Sequence, residues 1–208
     1  AGAFLGTGFG GGLIINGELF RGHNFAAGEF GQITIDKNGL KTAHSFRGSL
    51  ESLASRTGIV RALRKAVLEG ETTMLQDELG PHLVGVRSRH LRMALDEQDP
   101  LIKRIVKQAA QDTGIGIAAI VSAFGPEYVV LNGGVIEALH KEMLPVIRKT
   151  VEAHVLPGTM EGIHIQVSKL GDDGGIHGAA ILARDEQRRS PRRKVKKKTT
   201  KRAKKIEG

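Results

Sequence analysis

The chain has 208 residues, 40% of them hydrophobic, which suffices for one ordinary domain or a small two-lobed unit with a buried core. It contains no cysteine, which excludes disulfides and thiolate metal sites and fits a reducing, cytoplasmic setting, and no stretch approaches the ~20 apolar residues of a membrane span. The net charge of +9 is uneven: residues 188–208 hold 12 Lys or Arg and one Glu, and removing their +11 leaves −2 for residues 1–187.

That basic stretch repels itself and carries little apolar content, so a disordered tail is expected over residues 188–208. It reads as a solvated, solubilising extension. Weak, salt-sensitive attachment to nucleic acid or another polyanion is the sharper alternative, and no interleaved aromatic residue supports base stacking. The start lacks a basic segment followed by an apolar one, so a signal peptide is not indicated. It also lacks a methionine, and Ala1 runs almost directly into a strand-like segment, so a fragment of a longer protein is expected.

In chain order, residues 3–5 read as a strand leading into LGTGFGGG, where five of the seven residues from Gly6 to Gly12 are glycine. Asn16-Gly17 between apolar runs predicts a tight hairpin joining residues 10–15 to residues 18–20, because that turn needs φ > 0 at both central positions. Residues 31–36, GQITID, alternate as a half-buried strand does. Residues 37–47 read as a loop. Helical spacing begins near Gly48, with Gly58 predicted to separate two helices. Residues 71–98 are mostly helical in composition, broken at Gly80-Pro81. Asp99-Pro100 opens a helix running to about Phe124, since Asp caps and Pro suits the first turn; Gly125-Pro126 ends it. EYVVLNGG is a buried strand entering a glycine turn, residues 135–153 are helical, residues 163–167 alternate as a strand, and residues 174–184 form a last helix. Strands first, then helices alternating with strands, indicate an α/β layered domain.

The glycine turns carry the chemistry. Main-chain N–H groups in LGTGFGGG are unobstructed by side chains and Thr7 adds a hydroxyl, a natural phosphate cradle, although a glycine-rich bend at a sheet edge reads equally well from this loop alone. No GK[ST] follows, and a hairpin rather than a helix comes next, so neither a Walker loop nor a dinucleotide fingerprint is present. Asn132-Gly133-Gly134 lies after a strand and before a helix, where α/β folds bind ligands. LGDDGGIHGAA at 170–180 again leads into a helix. Three such turns in one short chain suggest a nucleotide cleft.

These stretches resemble the ROK family (repressors, open reading frames and sugar kinases). The matching segments are LGTGFGGGLIINGELFRG, AAGEFGQ, GSLESLAS, DTGIGIAAIVSAFGPEYVVLNGGV and LGDDGGIHGAAILA; they occur in family order and cover about residues 2–184. The resemblance implies an actin-like, ribonuclease-H-like ATPase lobe over residues 1–187, with a mixed sheet, an antiparallel hairpin and flanking helices. It implies ATP with Mg2+, phosphates on Gly6, Thr7, Gly8 and Gly10, and adenosine beside Gly133 and Gly134. It implies a hexose held by Glu29 and Glu51, whose carboxylates accept paired hydrogen bonds from adjacent hydroxyls. It further implies a homodimer through this lobe.

The departures from the family are specific. Its zinc site uses a His and three cysteines; here Gln32 stands in the His place, and Thr42, His44 and Ser49 fall where the cysteines would. One histidine without a thiolate cannot build that site, so no structural zinc is expected and His44 reads as a loop residue. Gln32 keeps the ability to hydrogen-bond a sugar hydroxyl. The family's DxGGT loop and its catalytic Asp, which takes the proton from the attacking hydroxyl, have no match here and are expected upstream of Ala1. Asp36, Asp172 and Asp173 are not substitutes; the latter two read as ordering the turn or capping the last helix. The expected function is ATP-dependent hexose phosphorylation, glucokinase-like, with this chain as one lobe and inactive alone. A sugar-responsive repressor and a degenerate, non-catalytic sugar binder are the alternatives, and the residues leave ATP and polyphosphate both open as donor.

Overall fold

The computed structural model describes residues 1–42 and 46–189. His44 and the tail from residue 190 onward lie outside them. The chain divides into a first unit, Ala1–Asp172, and a second that begins at Asp173.

The first unit is built on a four-stranded sheet of order β2-β1-β5-β6: β1 (Gly2–Leu5), β2 (Phe9–Gly12), β5 (Tyr128–Asn132) and β6 (His164–Val167). β1 and β2 are antiparallel, while β1–β5 and β5–β6 are parallel. In β1 the period of two is plain, with Ala3 and Leu5 fully buried and Phe4 exposed between them. β3 (Ile14–Ile15) and β4 (Glu18–Leu19) form a separate hairpin whose turn residues Asn16 and Gly17 have φ of 53° and 80°, as the Asn-Gly signal requires. The predicted single strand over residues 10–15 is therefore two. The chain leaves β1 after Gly12, turns inward at buried Leu13, and pairs afresh with β4.

Two further expectations are corrected. Residues 31–36 do not form a strand: Phe30–Gln32 is a 3-10 turn, and beyond it only the isolated bridge Thr34↔Ser49 forms. Alternation alone cannot supply a partner edge. Beyond Gln32 the main chain of this segment is bonded to the short stretch entering α1 (Leu50–Ala54), with Leu50 N–H donating to Ile33 O at 2.8 Å and Ile35 N to Gly48 O at 3.0 Å. Gly58 does not separate helices. The break is at Ser55, which ends α1 and caps α2 (Arg56–Leu68), its Oγ accepting from Gly58 N at 3.1 Å. Gly58 lies inside α2 because a Cβ there would sit 2.6 Å from Ser52 O, so glycine lets the two helices approach.

α3 (Leu75–Leu79) and α4 (Ser88–Asp96) flank the predicted break at Gly80-Pro81. α5 (Pro100–Phe124), about 38 Å long at 1.5 Å per residue, is the central helix, packed against α6 (Gly134–Ala153) and against α1 and α2. Val135, Ile136, Leu139, Met143, Ile147 and Val151 make the fully buried stripe of α6. α5 ends at Gly125, φ 50°, as Gly-Pro predicts. The second unit contributes α7 (Gly174–Arg189), longer than the expected residues 174–184. Among the described residues no helix is long and apolar enough to cross a membrane.

Asp99 does more than cap α5. Its Oδ1 accepts from Ile102 N at 3.0 Å, while Oδ2 accepts from Thr73 Oγ1 at 2.6 Å and Met74 N at 3.0 Å. Burial pushes this carboxyl upward, but the bonds from Thr73, Ile102, Met74 and Leu101 outweigh it and hold it below the usual carboxylate range. The ionised form is thus the one the fold stabilises. That contribution is complete above the ordinary carboxylate pKa and is lost as pH falls through the lowered value. Asp99→Ala is expected to cost about 2–4 kcal/mol, a lost cap plus an unpaired buried hydroxyl and amide, measured by urea unfolding at pH 7. The deficit should begin to shrink below about pH 4, where the unfolded chain's carboxyl takes up a proton, and vanish as pH falls through the lowered native value.

Candidate functional site

β1 and β5 are parallel neighbours with Phe4 opposite Asn132, so the turns that follow them leave the sheet side by side. Contact is direct. Gly133 has φ 98°, and a Cβ on it would lie 2.5 Å from Leu5 O. Gly134 is the first residue of α6, so the helix's unpaired N–H groups open at this point. Ser88 Oγ, 4.0 Å from where a Cβ on Gly134 would sit, and Asn132 Oδ1 are buried without a hydrogen-bond partner among the described residues.

The first loop is partly closed on itself. Gly6 N donates to Gly8 O at 3.0 Å, so that amide is not available as the bare sequence suggests. Gly10 lies beyond the turn, within β2 and opposite Phe4. Thr7 and Gly8 remain as residues whose amides the loop does not use. The start of α2 grips this loop: Arg56 N donates to Gly6 O at 3.0 Å, Thr57 Oγ1 to Thr7 O at 2.8 Å, and the Arg56 guanidinium to Thr7 Oγ1.

Glu51 reaches the same loop from α1. Ser49 caps that helix, accepting from Ser52 N at 3.2 Å, and so fixes the turn carrying Glu51. Glu51 Oε2 accepts from Phe9 N at 2.9 Å, and Gln32 Nε2 makes a long contact of 3.5 Å with Oε1. Gln32 belongs to the 3-10 turn that begins after Glu29, its N–H bonded to Glu29 O at 3.0 Å. Gln32 and Glu51 are therefore together beside Gly8, with Glu29 one turn away and exposed. Asp36 is occupied in a turn, accepting from Asn38 N at 2.9 Å, and Asp173 directly precedes α7.

The sequence reading missed a cavity of about 440 Å³ that opens beside Thr7 against one face of α2. Arg56, Arg61, Arg64 and Lys65 line it with Val60 and Val86. The spacing of Arg56, Arg61 and Arg64 is present in the sequence, but spacing alone does not show that a cavity opens in front of that helix face.

The zinc set implied by the family resemblance does not fit this chain. There is no cysteine, and the amide of Gln32 faces Glu51. Among the described residues no three or more His, Asp or Glu side chains gather as a metal site.

The profile of the ROK family matches residues 2–186. A glucokinase of Halalkalibacterium halodurans is 33% identical over 88% of this chain and 55% of its own length. A xylose repressor of Caldicellulosiruptor bescii is 28% identical over 86% of this chain and 44% of its length. The crystal structure of a ROK family glucokinase from Streptomyces griseus, in complex with glucose and AMPPNP, superposes with a TM-score of 0.73 at 33% identity, covering 88% of this chain and 60% of that one. The chain thus spans little more than half the length of the glucokinases it matches. A family profile spanning nearly all of the first unit, with an ATPase-type lobe beneath it, makes this chain a member of the ROK family.

Proposed function

We propose that this lobe belongs to an ATP-dependent hexose kinase, glucokinase-like in substrate class. The observation that carries the reading is the meeting of the two glycine turns at the same end of the central strands β1 and β5, with Glu51 bonded to Phe9 N just after the first of them. The similarity to glucokinases, one of them holding glucose and AMPPNP, supports it. Thr7 and Gly8 offer amides to the phosphates, and the turn at Gly133 and Gly134, at the N-terminus of α6, lies beside the adenosine. Glu51, Glu29 and Gln32 hold sugar hydroxyls. A hydroxyl oxygen of the sugar attacks the γ-phosphorus, the bond to the leaving ADP breaks, and the proton passes to an aspartate outside these 208 residues. Positioning and charge stabilisation supply most of the catalysis in such transfers. Mg2+ would arrive with the triphosphate and offset its charge.

The reading extends to a homodimer in the cytoplasm, with residues 1–187 as the lobe and the basic tail making weak polyanion contacts. The intact protein with Mg-ATP and a panel of hexoses and N-acetylated hexosamines should form ADP in step with a sugar phosphate. Phosphorylation of no member of the panel overturns the reading. A sugar-responsive repressor is the second reading, favoured by the similarity to the xylose repressor. It predicts sugar binding without ADP formation.

A further inference from the structure

The cavity beside Thr7 is lined by four cationic side chains and no acidic one. Lys65 is paired with Glu69 at 3.7 Å. The other three are not paired with any carboxylate within 4 Å among the described residues. Arg61 donates one N–H to Ser52 O at 3.1 Å, Arg64 one to Leu83 O at 2.9 Å, and Arg56 one to Thr7 Oγ1. These are neutral acceptors, so the three positive charges stay uncompensated. They share one face of a single helix, and Arg61 and Arg64, three residues apart, are like-charged neighbours that weaken α2. The bonds to Thr7, Ser52 and Leu83 satisfy single donors and leave the charges unpaired, which an anion in the cavity would offset.

The geometry also says which anion. From Arg56 to Arg64 the helix rises about 12 Å, so the charges form a row rather than a point. The row starts at Thr7 on the first glycine loop, and the N-terminus of the 13-residue α2 adds its partial positive charge there. Each guanidinium presents a planar fork of donors that matches phosphate oxygens in pairs. We propose that Arg56, Arg61 and Arg64 bind the condensed phosphate chain of the phosphoryl donor, extending the glycine-loop site along α2. Arg56 leaves the Thr7 hydroxyl on binding, which frees both groups for phosphate oxygens. The inference rests on the reading of the Gly6–Gly8 loop as a phosphate site. A nucleoside triphosphate and inorganic polyphosphate share this chemistry.

The test is calorimetric titration of the 208-residue chain with sodium tripolyphosphate, Mg-ATP and adenosine. Wild type is compared with the pair Arg61→Gln and Arg64→Gln, and with the charge-keeping pair Arg61→Lys and Arg64→Lys. The twelve Lys and Arg of the tail are the same in all three proteins, so differences report α2. The glutamine pair should weaken tripolyphosphate, ATP or both at least tenfold, the lysine pair should recover much of the loss, and adenosine should bind alike throughout. Weakening of tripolyphosphate identifies inorganic chains as ligands, and weakening of ATP alone identifies the nucleotide. Glutamine variants that bind both anions within twofold of wild type overturn the inference. Arginine-dependent binding in a protein that phosphorylates no sugar leaves the inference standing and removes the kinase reading.

Discussion

Glu51→Ala is expected to lower kcat/KM for the sugar about 100- to 1000-fold in the intact protein, with thermal stability reduced by a smaller margin. Two effects combine. A carboxylate accepting hydrogen bonds from sugar hydroxyls contributes about 1.5–3 kcal/mol for each, and two such bonds at the lower figure, about 3 kcal/mol, account for the lower end of the range. The same carboxylate accepts from Phe9 N, so its loss frees the loop that carries Thr7 and Gly8, and a small misplacement of phosphate donors costs rate steeply. Gly8→Ala keeps the carboxylate in the chain but displaces it from the loop. Its Cβ would lie 2.5 Å from Glu51 Oε2, so the acid must swing away. Both variants should raise the KM for sugar and lower kcat. Steady-state kinetics on both substrates would show this, and an unchanged kcat/KM in Glu51→Ala would remove Glu51 from the site.

Gly133→Ala should destabilise the chain by about 2–4 kcal/mol in urea unfolding. Its φ of 98° with ψ of 158° lies in a region that only glycine occupies without strain, costing about 1–3 kcal/mol for another residue. The added Cβ would also meet Leu5 O at 2.5 Å and Leu5 C at 2.7 Å, main-chain atoms that cannot swing aside. Gly134→Ala is the matched control. It sits in the first turn of α6 with only Ser88 Oγ near its Cβ, at 4.0 Å, so its unfolding midpoint should stay close to wild type or rise. Equal losses at both positions would mean that crowding at the paired turns is not the cause.

The elements legible in the sequence are those decided locally. Asn16-Gly17 fixes its turn by backbone sterics, Asp99-Pro100 its helix start by a cap, and residues 128–132 their strand by a short apolar run ending in glycine. What stayed hidden is decided by neighbours distant in the chain. The GQITID stretch has the alternation of a strand and lacks an edge to join. Gly58 looks like a helix stop and serves instead as a point of close approach between α1 and α2. At the candidate site the sequence points to the glycines, Glu29, Gln32 and Glu51, and the structure brings Gln32 and Glu51 together beside Gly8 while Glu29 stands exposed. The bond from Phe9 N to Glu51 depends on how α1 docks against β2. The arginine row was visible as spacing, but only the empty space in front of it gives it meaning.

The pairing of β1 with β5 also bears on how this chain acquires its native state. Phe4 and Asn132 meet across more than half the polypeptide, a high-contact-order parallel pairing that forms late and slowly in comparable topologies. On the proposed kinase reading, a partly folded chain has no assembled nucleotide site to offer. Nucleotide would then bind the finished fold alone, and at a hundred times its Kd it would deepen the native well by about 2.7 kcal/mol.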